Sequence, residues 1–347
     1  MQKIQLGSSD LEVSKLCLGS MTFGEQNSEA DAHSQIDYAI ERGINFIDCA
    51  EMYPVMSRAE TQGSTERHIG GWFKKSGKRR QVILATKAVG PSRGTNWIRE
   101  GKTDLDAANI RKAVDGSLQR LQTDYIDLYQ LHWPSRNVPI FGQTAFNPAR
   151  ERPHTAIEDT LAVLGELIKA GKIRHVGVSN ETPWGVCEFI KQAETKGLPR
   201  IASIQNPYNL VNRSYETGLD ETCFRENVGL LAYSPLAFGQ LTAKYLDNPK
   251  AHGRLTIFPA SWSPRYLRPA VAEAVKRYAA LARAHDLSPA QMALAWCHGR
   301  WCVASTIIGA TTLAQLRENI NACSLVLPDE VISGINAIHA DITNPGQ

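Results

Sequence analysis

Short apolar runs alternate with helical stripes of hydrophobic positions along most of this chain. Eight runs are rich in apolar and β-branched residues and do not alternate strictly with polar ones, which is typical of parallel strands covered on both faces. They predict strands at 15–18, 45–49, 82–86, 126–131, 173–178, 202–205, 229–232 and 305–308.

The segments between these runs carry helix signals. Ser28 is placed to cap a helix that ends near Arg42, and Ser288 followed by Pro289 is a typical helix start. Apolar positions three or four residues apart predict further helices over 110–121, 157–170 and 329–340.

The regular succession of strand and helix, without a break in composition, predicts one α/β domain over residues 1–347. Eight such repeats favour a (β/α)8 TIM barrel. KIQL and LEVSKL flank the turn residues 7–10 and predict an N-terminal β-hairpin. The alternative is an open doubly wound sheet, which would normally show G-x-G-x-x-G after its first strand, and no such match exists in the chain.

Three connections are longer than a barrel needs. They cover residues 89–106, 134–153 and 237–268, and each follows a predicted strand. We therefore expect long loops on the C-terminal rim, which is the face where barrel active sites lie.

Composition narrows the classes of function. Hydrophobic residues make up 43% and charged residues 21% of the chain, and the net charge is only +3. This balance argues against a nucleic-acid partner, and no apolar run is long enough for a membrane span. The first residues lack the apolar core of a signal peptide, and the seven cysteines are scattered, so we expect a cytoplasmic protein with reduced thiols.

Four ionisable residues stand at or just past the ends of three successive predicted strands: Asp48, Tyr53, Lys87 and His132. Neighbouring strand ends meet on one rim, so the four side chains are expected to converge. Asp48 would keep Lys87 cationic, and the cation would favour the phenolate of Tyr53 and make proton donation easier. A neutral His132 would donate to the same substrate oxygen. Such a site lacks a nucleophile and suits protonation of a carbonyl, with hydride supplied by a cofactor.

The sequence around these residues resembles the aldo-keto reductase superfamily. GINFIDCAEMY, ILATK and DYIDLYQLHWP are similar to its catalytic blocks, and HVGVSN, SIQNPYN, AYSPLAFGQLTAKY and IIGATTLAQLRENI to its nucleotide-binding blocks. Within the superfamily, MTFGEQNSEADAH and AEMYPV resemble the bacterial Tas-type reductases, and the final block resembles that of potassium-channel β subunits. The resemblance implies an NADPH-dependent oxidoreductase that reduces a small carbonyl compound, with Tyr53 as the general acid.

The resemblance also implies residues for each part of the cofactor. Ser179, Asn180 and Gln205 would hold the nicotinamide carboxamide, and Tyr233 would stack on the ring. The remaining cofactor residues implied by the family blocks are Gly19, Ser20, Met21, Ser234, Pro235, Leu236, Gly239, Leu241, Lys244, Gly309, Thr311, Gln315, Glu318 and Asn319.

One departure from the family pattern concerns the 2′-phosphate of NADPH. Many members place Lys-Ser and a following arginine in the last block, whereas this block has no basic residue before Arg317. In the channel-β-like branch an arginine of the loop after the seventh strand has this role, and Arg254 lies in the corresponding loop. For Thr311 and Thr312, helix capping is an equally good explanation.

Apolar residues on the predicted rim loops form a candidate substrate pocket, or else simply pack the loops. They are Met21, Phe23, Trp97, Trp133, Phe141 and Phe146. The sequence names neither the substrate nor the oligomeric state.

Two other functions are compatible with parts of this pattern. A nucleotide-binding sensor that regulates a partner would keep the same four residues, as the channel β subunits do. A metal-dependent barrel enzyme would need ligands around His132, and no close pair of histidines supports a metal site.

Overall fold

The computed structural model describes all 347 residues, beginning with a small antiparallel hairpin. Its strands are β1 (Lys3–Gln5) and β2 (Glu12–Ser14), and they confirm the predicted hairpin. Eight parallel strands then close into a barrel in chain order, with the last strand paired to the first. They are β3 (Leu16–Gly19), β4 (Phe46–Asp48), β5 (Ile83–Ala88), β6 (Ile126–Leu131), β7 (Ile173–Ser179), β8 (Ile201–Pro207), β9 (Gly229–Tyr233) and β10 (Val303–Ile308). The (β/α)8 TIM-barrel prediction is confirmed.

Helices surround the barrel. They are α1 (Glu29–Glu41), α2 (Ser64–Ser76), α3 (Ala107–Leu121), α4 (Ile157–Lys169), α5 (Pro183–Lys196), α6 (Leu219–Arg225), α7 (Lys244–Asp247), α8 (Arg254–Ile257), α9 (Pro269–Ala284), α10 (Pro289–Gly299), α11 (Leu313–Ala322) and α12 (Asp329–Asp341). Both predicted serine caps are present, because Ser28 and Ser288 each form a reciprocal capping box with the residue three positions later. No helix is both long and apolar enough to cross a membrane.

The N-terminal end of the barrel interior is closed by apolar side chains. Leu6, Leu11 and Val13 of the hairpin region pack with Phe46 and Leu128, which point inward from β4 and β6. All five are buried, so the hairpin acts as a plug at this end of the barrel. Any site must therefore open at the C-terminal end.

The loop after β9 has an unusual backbone. Ser234, Ala237 and Phe238 adopt positive φ angles of 54°, 47° and 58°, and Gly239 has a φ of 93°. Positive φ is uncommon for non-glycine residues, and such residues cluster at functional sites. This loop continues through α7 and α8, and with the connections at 89–106 and 134–153 it forms the rim predicted from the sequence.

Candidate active site

A buried ion pair joins β4 and β5 at the C-terminal end of the barrel. The Lys87 Nζ donates to Asp48 Oδ2 at 2.6 Å and to the Cys49 carbonyl at 2.7 Å, and Lys87 has no exposed surface. Burial alone would lower the pKa of Lys87, but the Asp48 carboxylate and its hydrogen bond raise this pKa above its usual value. Lys87 is therefore held as a cation, as expected.

The second oxygen of Asp48 is held by two amides that face the barrel interior. Gln130 Nε2 donates to Asp48 Oδ1 at 3.0 Å, and Gln205 Nε2 donates to the same oxygen at 2.9 Å. Gln205 also donates to Gln130 Oε1 at 3.1 Å. Asp48 thus has a partner on each oxygen, which fixes the carboxylate beneath Lys87. Gln130 was not among the predicted site residues.

Tyr53 lies above this pair, with the Lys87 Nζ 5.1 Å from its ring centroid. The His132 ring meets it edge-on at 5.7 Å. Burial raises the pKa of Tyr53, and the nearby Lys87 cation lowers it by less, so the net pKa is above its usual value. The predicted effect of Lys87 on this phenol is present, but desolvation outweighs it. The phenol stays protonated, which is the form a general acid needs.

His132 is the third group at this point. Burial, followed by the Lys87 cation, lowers the pKa of His132 well below its usual value, so the ring is neutral near pH 7. Its Nδ1 is buried without a hydrogen-bond partner. A neutral imidazole can donate one hydrogen bond and accept another. The four predicted catalytic residues thus converge.

The predicted carboxamide-binding residues lie beside His132. Asn180 Nδ2 donates to the His132 carbonyl at 2.9 Å and to Ser179 Oγ at 3.1 Å. Asn180 Oδ1 accepts a hydrogen bond from the Tyr233 hydroxyl at 2.7 Å, and Ser179 Oγ donates to the Gln205 carbonyl. These contacts bring the ends of β7, β8 and β9 together at one edge of the site.

The ends of β10 and β3, the next two strands around the barrel after β9, approach each other closely. A Cβ added to Gly19 would lie 2.7 Å from Ile307 Cγ2 and 3.2 Å from the Ile308 carbonyl oxygen, so only glycine fits there. Ser20 Oγ donates to the Asp48 carbonyl at 2.7 Å, and the Met21 carbonyl accepts from the Val55 amide. The segment therefore places the end of β3 directly beside Asp48 at the end of β4.

Two cations of the loop after β9 lack a carboxylate partner. Lys244 Nζ donates to the His252 carbonyl at 3.0 Å, and the Arg254 Nη2 lies 4.0 Å from a Cβ built on Gly309. Burial lowers the pKa of both side chains, and Arg254 lowers that of Lys244 further. Two adjacent unneutralised cations favour an anion between or beside them, which suits the phosphates of a dinucleotide.

The turn that follows β9 carries the other predicted pyrophosphate residues. Pro235 and Leu241 are buried, whereas Ser234, Leu236 and Gly239 are partly exposed. Four residues of this turn have positive φ angles, and the amides of Ala237 and Gly239 donate to the carbonyls of Ser234 and Leu236.

The last predicted cofactor group is at the start of α11. Gln315 Oε1 accepts hydrogen bonds from the Thr311 amide and hydroxyl, both at 3.0 Å, and Asn319 Nδ2 donates to the Gly309 carbonyl at 3.1 Å. Thr312 caps the helix through the Gln315 amide, so the capping explanation is correct for Thr312. Glu318 is exposed on the same helix.

The candidate pocket residues fall into two groups. Trp133 lies beside His132, with ring centroids 4.9 Å apart, and Phe141 meets Trp133 edge-on at 6.2 Å. Trp97 and Phe146 are exposed on the rim loops. Phe23 instead belongs to the main hydrophobic core and has no exposed surface, so its assignment to an open pocket is wrong in this structure. The hydrophobicity of Phe23 alone does not show whether this residue lies in the core or on the rim.

Arg265, on the loop after β9, was also missed by the sequence reasoning. It is buried next to Tyr233, and no periodic pattern marks it, because it lies in a proline-rich irregular segment. No group of three or more His, Cys, Asp or Glu side chains lies close enough to hold a metal ion.

This chain is similar to known proteins along most of its length. The model of the aldo/keto reductase family matches residues 15–340. Protein tas of Escherichia coli (strain K12) is 51% identical over 346 residues, which are 99% of either chain. An aldo-keto reductase of Babesia bovis is 43% identical over 75% of this chain and 96% of its own length. The NADH-specific methylglyoxal reductase of Escherichia coli (strain K12) is 31% identical over 95% of both chains.

Proposed function

Since this chain belongs to the aldo/keto reductase family and is of the Tas type, we propose that it reduces aldehydes and ketones to alcohols with NADPH. The observation that carries the proposal is the convergence of Asp48, Tyr53, Lys87 and His132 at the open end of the barrel. A reduced nicotinamide, when bound, would supply the hydride that no side chain provides.

The protein's own part in the reaction is to hold and protonate the carbonyl oxygen. Tyr53 stays protonated because desolvation raises its pKa, and it donates its proton as negative charge develops on that oxygen. The Lys87 cation, 5.1 Å from the ring centroid, stabilises the phenolate that remains. A neutral His132 donates a second hydrogen bond to the same oxygen.

The amides beneath the site keep this arrangement rigid. Asp48 is fixed on both oxygens, so Lys87 cannot turn away from Tyr53 without breaking a buried ion pair. Preorganised charges need no rearrangement when the transition state forms, and this is the main source of their catalytic effect.

The residues around the barrel mouth fit a dinucleotide. Ser179, Asn180 and Gln205 would hold the nicotinamide carboxamide, Tyr233 would stack on its ring, and Lys244 would neutralise the pyrophosphate. Gly309, Gln315 and Asn319 would bind the adenosine end. We assign the 2′-phosphate of NADPH to Arg254, because its guanidinium has no carboxylate partner and lies by Gly309. One relative is named as NADH-specific, so the choice of nucleotide needs its own measurement.

The test is steady-state oxidation of NADPH and of NADH by the purified chain with a panel of aldehydes and ketones. Tyr53→Phe is the matched control, because it removes only the hydroxyl. We expect the variant to bind NADPH like the parent and to lose about 10²–10⁴-fold in turnover. A Phe variant that reduces aldehydes at the parental rate would show that Tyr53 is not the acid.

The same experiment separates an enzyme from a nucleotide-binding sensor. If the parent binds NADPH tightly but oxidises it with no carbonyl of the panel, and Tyr53→Phe behaves identically, the reductase proposal is wrong.

A further inference from the structure

Arg265 is a buried guanidinium without a carboxylate partner at the mouth of the site. Only 6% of the residue is exposed, although it carries a full charge. The groups that act on it are the uncharged phenols of Tyr233 and Tyr266, which are close enough to accept hydrogen bonds from the guanidinium, and the guanidinium lies 4.8 Å from the ring centroid of Tyr266. A buried charge of this kind is normally paired, and its lack of a counterion indicates that an anion arrives from outside the protein.

The position of Arg265 relates it to the substrate side of the site. A Cβ built on Gly142 would lie 3.4 Å from Arg265 Cβ, and Arg268 donates to the Gly142 carbonyl at 3.0 Å. Gly142 follows Phe141, whose ring packs edge-on against Trp133 beside His132. The segment that carries Arg265 therefore packs directly against the loop that carries the candidate substrate pocket.

On its other side Arg265 is next to Tyr233 at the end of β9. Its charge lowers the pKa of the Tyr233 phenol, although burial outweighs this effect and raises that pKa to about 12. Two other cations of the loop without a carboxylate partner, Lys244 and Arg254, lie beside Gly239, Gly253 and Gly309. Arg254 and Arg265 share Tyr266 as a neighbour but differ in another phenol near each, which is Tyr53 for Arg254 and Tyr233 for Arg265.

Two arginines lie near Phe141. The Arg93 guanidinium lies 5.3 Å from the Phe141 ring centroid, and Arg152 is close enough to lower the pKa of Arg93, after burial. Neither arginine forms an ion pair within the chain; Arg152 donates to the Ser135 carbonyl. An anionic substrate would therefore meet an attractive field around the aromatic pocket.

We propose that Arg265 binds a carboxylate of the substrate, so that the compounds reduced by this chain are oxo acids. A guanidinium pairs with a carboxylate through two parallel hydrogen bonds, and this geometry orients the far end of a short substrate. With the carboxylate on Arg265, the carbonyl group is directed towards Tyr53 and His132. The proposal rests on the proposed reductase function for its chemistry, but not for its anion site.

The decisive experiment compares ω-oxo acids of increasing chain length with their methyl esters, which differ only in charge. The parent and Arg265→Met are assayed on both series, with Arg265→Lys as the conservative variant. Arg277→Met, which removes a partly exposed arginine of α9 that pairs with Asp341, is the matched control. Unfolding temperatures show whether each variant is folded.

We expect the parent to prefer the acid, and Arg265→Met to lose about 10- to 150-fold of kcat/KM for the acid, mainly through KM. The ratio of acid to ester should fall towards one in this variant and recover in part with Arg265→Lys. Arg277→Met should keep the parental ratio. An acid-to-ester ratio that is the same in the parent and in Arg265→Met would overturn the proposal.

Two further readouts exclude other roles. Dissociation constants for NADPH should be equal in the parent and in Arg265→Met, and a parallel loss would reassign Arg265 to the cofactor. A preference for aldehydes bearing a phosphate ester over the oxo acids would overturn the carboxylate assignment in favour of phosphate.

A binding measurement separates this proposal from the reductase function itself. Succinate cannot be reduced, and its binding near Trp133 is followed by tryptophan fluorescence. If the chain turns over no carbonyl compound, the anion site would still be supported by a result in which succinate binds the parent but not Arg265→Met. Succinate that binds both equally, or neither, would reject it.

Discussion

The two ends of the barrel interior are built from the same strands but have opposite chemistry. Residues two positions apart on a strand point to the same side. On four strands, an inward-facing apolar residue is followed two positions later by an inward-facing polar one. The pairs are Phe46 and Asp48, Ala85 and Lys87, Leu128 and Gln130, and Leu231 and Tyr233. The apolar end packs against the hairpin, and the polar end forms the site. The side chains that stabilise the closed end of the barrel and those that form the site therefore lie about two residues apart along each of these strands.

The largest effect is expected from Lys87→Met, at the polar end. It removes the cation beside Tyr53 and leaves Asp48 as a buried charge without its ionic partner. We expect turnover to fall by at least about 10²–10⁴-fold and the free energy of unfolding to fall by about 3–5 kcal/mol. Both are measured on the purified variant, by NADPH oxidation and by urea unfolding.

The control for Lys87→Met is Lys172→Met. Lys172 makes an ion pair with Asp115 at the same distance of 2.6 Å, but both side chains are substantially exposed. An exposed pair contributes about 0–1 kcal/mol, so this variant should stay close to the parent. Equal losses in the two variants would mean that burial at the site has no special role.

Leu128→Ala is the corresponding change at the apolar end. The side chain is fully buried under the hairpin, so its truncation should lower the free energy of unfolding by about 2–5 kcal/mol. Turnover per folded molecule should be unchanged, because Gln130 still reaches Asp48. If Leu128→Ala had normal stability but impaired turnover, the division of the barrel interior into a stabilising end and a catalytic end would be wrong.

Arg254→Ala tests the choice of cofactor at the rim. Only the 2′-phosphate distinguishes NADPH from NADH, and a lost charge-assisted hydrogen bond costs about 1.5–3 kcal/mol, or roughly 10- to 150-fold in Kd. We expect this weakening for NADPH and nearly none for NADH in a fluorescence titration. Equal weakening for both would show that Arg254 shapes the loop. No weakening would direct attention to Lys244, since Arg317 lies over the Tyr38 ring instead.

The smallest effect concerns His298, at the end of α10. Burial, and then Lys15, lowers its pKa to about 4, and its Nδ1 is buried without a partner. The unfolded chain binds a proton here near pH 6.5 and the folded chain only near pH 4, so stability is lost as pH falls through this window. The contribution is about 1–3 kcal/mol. Unfolding curves of the parent should show this loss of stability as pH falls, and those of His298→Gln should not. The control His252→Gln, at an exposed position, should behave like the parent.

Much of the barrel follows from the sequence because its signals are periodic. All eight apolar runs became strands, and Ser28 and Ser288 cap helices as their side chains suggest. The convergence of Asp48, Lys87 and His132 follows from the same periodicity, since parallel strands end on one rim. Gln130 was within reach of this reasoning, because it is two residues before His132 and faces the same way.

Other features depend on burial and on loop conformation, which the sequence does not encode locally. The predicted effect of Lys87 on Tyr53 is present, but the net pKa of Tyr53 is set more by desolvation, which residue types alone do not show. Phe23 and Phe141 look alike in sequence, yet one lies in the core and the other on the rim. The position of Arg265 is visible only in the folded structure, because it lies in an irregular segment whose conformation the sequence does not predict.

The most direct test of the account is the fate of the hydride. The parent is incubated with NADPH deuterated at C4 of the nicotinamide and with a panel of aldehydes, and the alcohols are analysed by mass spectrometry. We expect the parent and Leu128→Ala to form alcohol with deuterium on the former carbonyl carbon, and Tyr53→Phe to form hardly any. Tight NADPH binding without deuterated alcohol from any aldehyde, or equal label with Tyr53→Phe, would contradict it.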